Sequence, residues 1–298
     1  MLGRRSGVLL GFLVLILCLT IPTTVRGQSL WPRTSWGAPD LRGLWNHGTA
    51  TPLERPERHA GRERLTADEV AAINAEARSA EGDLSRRAVW WERGLSDGRT
   101  AMIVDPPDGR IPYTAAARTR ERYQSHVDGP EGRNLWERCI TSGVPRLGGA
   151  YLQNIHLLQT PDDVVLLHEM IHEVRVIPLD DRPHLPSHVR QWLGDSRGWW
   201  EGDTLVVETT NFDRRQLFRG LSQGTVRLME RFTRVDVETL RYDATFVATD
   251  LWSRPWTASL LLARTGGPMF EYACHEGNVG MTNTLEIARG EESVLRPD

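Results

Sequence analysis

Five consecutive residues, His168 to His172 (H-E-M-I-H), give this chain its clearest chemical signal. H-E-x-x-H is the zinc-protease signature, and it works only on a helix, where residues four apart share a face about 6 Å apart. His168 and His172 would then bind Zn²⁺, and Glu169 would act as the general base. On a strand the two histidines stand about 13 Å apart, too far to share one ion. The local backbone therefore separates a zinc metallopeptidase from other functions.

The surrounding residues favour a strand. β-Branched residues flank the motif at Val164-Val165 and at 174–177, and such residues prefer sheets. Thr160-Pro161-Asp162-Asp163 fits a hairpin turn, although it also fits a helix start. One continuous strand would place six side chains on the interior face with His168, and three on the outer face. The interior set is Val164, Leu166, Met170, His172, Val174 and Val176, and the outer set is Glu169, Glu173 and Arg175.

The elements that must position these residues are mostly short strands. Hairpins are predicted at 199–208 and 228–247, followed by a strand at 256–264. This spacing predicts a mainly β protein, an antiparallel barrel or sandwich. Further expected elements are a capped helix from Thr66 to about Ala80, a hairpin at 99–113, a helix at 114–124 and irregular chain at 131–149. We expect a Pro- and Trp-rich segment with helices at 28–130 and an antiparallel β domain at 131–298, or one domain over 28–298.

The first 27 residues match an export signal. Arg4 and Arg5 precede an apolar run from Val8 to Ile21, and cleavage is expected before Gln28. An uncleaved anchor is the alternative, but the run is shorter than the roughly 20 residues that a spanning helix needs. A periplasmic or secreted location therefore follows, with no stable membrane span after cleavage. Whether Arg4-Arg5 marks twin-arginine export stays open.

Composition excludes several function classes. Removing the signal leaves 33 arginines against 39 acidic residues, a net charge of −6, so nucleic acid is not an expected partner. The chain contains no lysine, which excludes Schiff-base, pyridoxal phosphate and P-loop chemistry. Cys139 and Cys274 remain after cleavage, and in an oxidising compartment this pair predicts a disulfide. Two free buried thiols are the alternative.

Several motifs resemble a family of secreted bacterial proteins of unknown function. They are 169–172 (EMIH), 177–184 (IPLDDRPH), 192–212 (WLGDSRGWWEGDTLVVETTNF), 254–257 (RPWT) and 272–278 (YACHEGN). The resemblance spans most of the mature chain and implies export and a common fold, without a known activity. Gly43-Leu44-Trp45 also resembles the G-x-W opening of lipocalin-like barrels. That resemblance implies a barrel that binds a small apolar molecule, and some relatives of such barrels are hydratases, cyclases or isomerases.

Candidate site residues fall into two groups. His168 and His172 are candidates for acid–base catalysis, because histidine titrates near neutral pH. Asp195 could orient an imidazole, Arg197 could bind an anion, and His275-Glu276 form a second His–carboxylate pair. For most of these the alternative is a structural role in a core or loop. Five aromatic residues are candidates for lining a ligand cavity, with core packing as the alternative: Trp45, Trp200, Trp252, Trp256 and Tyr272.

The sequence therefore predicts an exported barrel that binds a small, largely apolar molecule and uses His–carboxylate chemistry without a cofactor, as in hydration, elimination or isomerisation. A zinc metallopeptidase using His168, Glu169 and His172 is the first alternative. A carrier without catalysis is the second.

Overall fold

Antiparallel strands dominate the chain, as its spacing predicts. The computed structural model describes residues 31–80, 94–119, 133, 135–149, 151–276 and 278–295. Within them are twelve strands and three α-helices. The strands are β1 (Gly43–Asn46), β2 (Ile103–Asp105), β3 (Asn154–Gln159), β4 (Asp163–His168), β5 (Glu173–Pro178), β6 (Asp195–Glu201), β7 (Thr204–Thr210), β8 (Leu217–Phe218), β9 (Leu221–Ser222), β10 (Arg227–Arg234), β11 (Thr239–Val247) and β12 (Trp256–Arg264). The helices are α1 (Ala67–Ala80), α2 (Ala115–Thr119) and α3 (Val279–Leu295).

The main sheet is a meander that curls into a nearly closed barrel. Its strand order is β5-β4-β3-β1-β12-β11-β10-β7-β6, and each strand pairs with its neighbours in this order. Strand β2 also pairs with β12, outside this order. The two end strands, β5 and β6, are joined by side chains, with Arg175 Nε donating to Ser196 Oγ at 3.0 Å. Gly198 permits this approach, because a Cβ there would lie 2.8 Å from Ile177 Cγ2. The predicted mainly β class is confirmed.

Most predicted hairpins form at the expected places. β6 and β7 turn at Gly202, which has φ +61°, and β10 pairs with β11 from Arg227 to Arg234. The turn at 160–162 joins β3 to β4, so that segment does not start a helix. The hairpin expected at 99–113 is wrong, because β2 is a three-residue strand that pairs with β12.

Outside the barrel, α1 begins at the predicted capping box. Thr66 N donates to Glu69 Oε2 at 2.7 Å, and Glu69 N donates to Thr66 Oγ1 at 3.3 Å. The helix expected at 114–124 covers Ala115–Thr119, and residues 120–124 lie outside the described residues. Helix α3 follows the last strand and was not predicted. The expected export signal lies outside the described residues.

Candidate functional site

The H-E-x-x-H residues form the connection between two strands. His168 ends β4, a short 3₁₀ turn covers Met170–His172, and β5 begins at Glu173. Ile171 and His172 have φ values of 64° and 49°. Neither the helix of the peptidase hypothesis nor the single extended strand is present, so both backbone predictions are wrong. His168 is buried inside the barrel and His172 is exposed at its surface, so the two rings do not share a face.

The turn also changes which residues face inward. His168 pairs with Glu173 across the hairpin, and paired residues in an antiparallel ladder share a face. The inward positions therefore pass from even numbers in β4 to odd numbers in β5. Glu173 and Arg175 point into the barrel, and Val174 and Val176 are exposed, which reverses the predicted faces.

Glu169 is fully buried, and its carboxylate accepts hydrogen bonds from backbone amides. The sequence predicted an outer-face position for it instead. Its carboxylate accepts from Phe270 N at 2.7 Å and from Asn154 N at 3.2 Å. These bonds fix the chain after β12 to the start of β3. Both carboxylate oxygens of Glu169 are therefore occupied by backbone amides, whereas a general base would need a free oxygen for its substrate. Glu169 positions the backbone here.

His168 occupies a small cavity inside the barrel. Both ring nitrogens are buried and have no hydrogen-bond partner among the described residues. The cavity measures about 10 Å³, roughly the volume that holds one water. Its walls are mostly apolar, with two arginines, a carboxylate and a tyrosine among them: Val144, Arg146, Ile155, Leu166, Arg175, Glu230, Phe232, Tyr242 and Leu262.

One wall of this cavity is a closed polar network. Arg175 forms a two-pronged ion pair with Glu230, with Arg175 NH1 3.0 Å from Glu230 Oε1. Tyr242 Oη donates to the same Oε1 at 2.7 Å, and Arg175 NH2 also donates to Thr209 Oγ1 at 2.5 Å. Burial raises the pKa of Tyr242 well above its usual value, and the Glu230 carboxylate adds to that rise. The tyrosine therefore stays protonated as a donor.

Arg146, which also lines the cavity, belongs to a second ion pair, and His47 is a second buried imidazole within electrostatic range of His168. Arg146 NH2 donates to Glu173 Oε2 at 2.7 Å, while Arg146 Nε has no partner among the described residues. Burial lowers the pKa of His168 well below its usual range, and Arg146 lowers it further. Burial, with Arg146 next, lowers the pKa of His47 to about 3. Both imidazoles are therefore neutral near pH 7.

Residues 139–147, here called the covering segment, close this side of the barrel. Val144 and Arg146 line the cavity, Thr141 donates to Glu173, and Gln223 Nε2 donates to Val144 O at 3.2 Å. The segment begins at the disulfide between Cys139 and Cys274, whose Cα atoms are 5.7 Å apart. The predicted disulfide is confirmed, and it links the covering segment to the chain that Glu169 holds.

The tryptophans proposed as ligand contacts lie mostly in the core. Trp45 is fully buried, donates from Nε1 to Leu41 O at 2.9 Å, and lies under the guanidinium groups of Arg234 and Arg264. Trp256 stacks on Phe246 at 4.0 Å, and Trp252 meets that ring edge-on at 5.6 Å. Trp200 is partly buried against the same core. None of the four lines the cavity at His168.

Asp195 and Arg197 hold a loop together. Asp195 accepts from Arg197 NH1 at 2.7 Å and from Leu185 N at 2.8 Å, and it lies 2.8 Å from His184 Nδ1. Asp195 does orient an imidazole, but that imidazole belongs to His184. Arg197 also donates to Pro183 O at 3.1 Å. This cluster does not line the cavity at His168.

The remaining candidates lie beside the disulfide. Tyr272 contacts Tyr151 with ring centroids 6.4 Å apart, and its amide donates to His172 Nδ1 at 3.4 Å. It lines a surface pocket of about 200 Å³ with Trp136 and Cys274. His275 and Glu276 are exposed. The structure does not bring these residues to His168.

Sequence reasoning missed the residues that share the cavity with His168. Arg146 lies outside the regular strands, so no periodicity marks it. Glu230 and Tyr242 carried a usable signal, because Leu228, Glu230 and Phe232 alternate as one inward face that contains a charge. A carboxylate at an inward strand position implies a buried partner.

Comparisons with known proteins add little. No family model matches the chain, and no curated protein matches it. Among solved structures, the crystal structure of a mutant of the fluorescent protein UnaG is similar with a TM-score of 0.25 and 14% identity, over 45% of this chain and 87% of that chain. At that TM-score the likeness carries no argument, so the barrel rests on its own strand order.

Among the residues that the structure describes, no helix is long and apolar enough to cross a membrane. In the same residues, no three or more His, Cys, Asp and Glu side chains are grouped so that they could hold a metal ion.

Proposed function

We propose that this protein is an exported barrel that binds a small, largely apolar molecule in the cavity at His168. The observation that carries the proposal is a buried imidazole whose two nitrogens have no partner among the described residues, set among apolar walls. Buried polar groups in folded proteins nearly always have a partner in the protein or in ordered water, so this imidazole is available to hydrogen-bond a molecule that enters the cavity. Pockets of this kind combine apolar walls with a few polar groups that fix orientation.

The ligand must displace part of the interior. A cavity of about 10 Å³ holds little more than one water, so a larger molecule needs space that side chains now fill. The covering segment is the element that can supply this space, because Val144 and Arg146 contribute to the cavity wall without belonging to the strand ladder. Export is supported by the Cys139–Cys274 disulfide, since such bonds persist in oxidising compartments.

An acid–base reaction is the finer form of this proposal. A neutral His168 can accept a proton from a bound substrate, and Arg146 Nε, which has no partner among the described residues, can donate a hydrogen bond to a developing oxyanion. Hydration, elimination and isomerisation need this pair of functions and no cofactor. The same cavity without turnover would make the protein a carrier.

Binding can be tested with N-phenyl-1-naphthylamine, an uncharged apolar dye that fluoresces when it leaves water. Saturable binding at one site per chain is expected for the wild type. Val144→Trp fills the cavity from the covering segment and should weaken binding at least tenfold, while His188→Gln, a change at an exposed loop, should not. Circular dichroism checks that each variant is folded. Equal binding of the dye by folded Val144→Trp and by wild type would contradict a binding site in the barrel interior.

Catalysis is tested on molecules that copurify with the protein. Mass spectrometry of the denatured, released fraction identifies them. Conversion of such a molecule by wild type but not by His168→Gln supports the acid–base reaction, and recovery of the molecule unchanged by both supports a carrier.

A further inference from the structure

Two side chains that line the cavity, His168 and Arg146, present buried nitrogens without partners among the described residues. These nitrogens are both ring atoms of His168 and Nε of Arg146, and Nδ1 of His47, a buried imidazole within electrostatic range of His168, is also without a partner there. His168 and His47 are only 4% and 5% exposed. The covering segment supplies Arg146 and the end of β4 supplies His168, so two separate parts of the chain meet at the cavity. An N–H donor that stays unpaired in a low-dielectric interior destabilises the folded state, and Arg146 Nε and one ring nitrogen of neutral His168 are such donors.

The other charged groups that face this site are already paired. Arg175 of β5 is held by Glu230 of β10, and Tyr242 of β11 donates to the same carboxylate. Glu173 of β5 accepts from Arg146 and Thr141. Two arginines and two glutamates thus cancel, with both imidazoles neutral. Among the polar side chains that line the cavity, the buried atoms left without a partner among the described residues are therefore nitrogens of His168 and Arg146.

This balance discriminates between ligand charges. A cationic ligand would add an unpaired charge beside two arginines, which a low-dielectric interior strongly disfavours. A dianion such as a phosphate monoester would need two new positive charges. A monoanion needs one, which a single imidazole supplies by taking up a proton as the anion binds. A carboxylate also has two acceptor oxygens, which suits one guanidinium N–H and one imidazole N–H.

We propose that the ligand of this barrel carries one carboxylate, bound by Arg146 Nε and His168, and that the rest of the molecule is uncharged and apolar. This inference rests on the proposed function. The apolar remainder would lie along Ile155, Leu166 and Phe232, which form apolar walls of the same cavity. Arg146 and His168 are then binding residues, and the Arg175–Glu230 ion pair supports the wall of the cavity that it lines.

The test compares four probes that share one carbon chain: octanoate, octan-1-ol, octylammonium and octyl phosphate. Dissociation constants are measured at pH 7 by isothermal titration calorimetry on the full folded chain. We expect octanoate to bind at least tenfold more tightly than octan-1-ol, with octylammonium and octyl phosphate weaker than both. His168→Gln and Arg146→Lys should reduce the preference for octanoate to about threefold or less. Arg146→Lys keeps the charge beside Glu173, so it preserves folding better than a neutral replacement.

These measurements distinguish failure of the carboxylate proposal from failure of the proposed binding function. Octan-1-ol binding as tightly as octanoate would overturn the carboxylate proposal and leave the binding cavity in place. Tighter binding of octyl phosphate would overturn the monoanion argument. Absence of binding by all four probes would remove the proposed function and this inference with it. An octanoate preference that survives in folded His168→Gln and Arg146→Lys would assign the anion to another site.

Discussion

The two buried histidines should make the protein lose stability in mild acid. His47 and His168 are neutral in the folded barrel, because burial and Arg146 lower the pKa of each. In the unfolded chain both imidazoles bind a proton near pH 6.5. Below that pH the unfolded state therefore binds more protons than the folded state, and the free energy of unfolding falls as pH falls.

The magnitude follows from the pKa difference. With a folded pKa of about 3, His47 alone lowers the free energy of unfolding by about 2 kcal/mol between pH 7.5 and pH 5. His168 adds a similar amount, so the pair accounts for about 4 kcal/mol. The carboxylates whose pKa values are lowered, such as Asp97, lose their contribution only below about pH 4. Glu173, whose pKa burial raises, acts in the opposite direction above its unfolded pKa.

Urea unfolding at pH values of about 7.5, 6.5, 5.5 and 5.0 measures this dependence. His168→Gln should remove about half of the loss, His47→Gln the other half, and exposed His188→Gln none of it. Glu173 is common to all four proteins and cancels in the comparison. A wild-type free energy of unfolding that stays constant over this pH range, or that falls equally in His168→Gln, would refute the burial of a neutral imidazole at this position.

Three further predictions concern the scaffold around the cavity. Glu230→Gln leaves Arg175 buried without a counter-charge and should lower the free energy of unfolding by about 3–5 kcal/mol, measured in urea at pH 7; a loss under about 1 kcal/mol would mean that the pair is solvated. Cys139→Ser removes a crosslink between residues 135 apart and should cost about 2–5 kcal/mol, whereas an unchanged denaturation midpoint in both oxidised and reduced buffer would show that the bond does not form in solution. Gly198→Ala puts a methyl group 2.8 Å from a β5 side chain and should cost about 1–3 kcal/mol, and an unchanged melting temperature would contradict the close approach of β5 and β6.

The sequence predicted the barrel better than the site, for a physical reason. Hairpins at β6–β7 and β10–β11 follow from local turn residues and two-residue alternation, both of which are properties of neighbouring positions. The capping box at Thr66 is equally local. Local residue preferences did not predict the turn at 169–172. Ile171 and His172 have left-handed φ values there, which neither residue type indicates. One misread turn reversed the inward and outward positions of all of β5.

The site needed long-range information. His168 was chosen correctly as an inward residue, but its neighbours come from distant positions such as 146 and 230, which only the closed sheet brings together. Trp256 shows the converse error. An aromatic residue in a strand of a small barrel fits a ligand wall and a packed core equally well, and the choice depends on how much interior other side chains already fill.

In the proposed function, the His168 imidazole inside the barrel contacts a bound small molecule. The most direct test is ¹⁵N NMR of histidine-labelled protein, recorded with and without octanoate at pH 7. We predict that both ring-nitrogen resonances of His168, assigned with His168→Gln, shift as octanoate saturates, while those of exposed His188 stay in place. Saturable octanoate binding with no change at His168 would contradict the claim and place the ligand elsewhere on the protein.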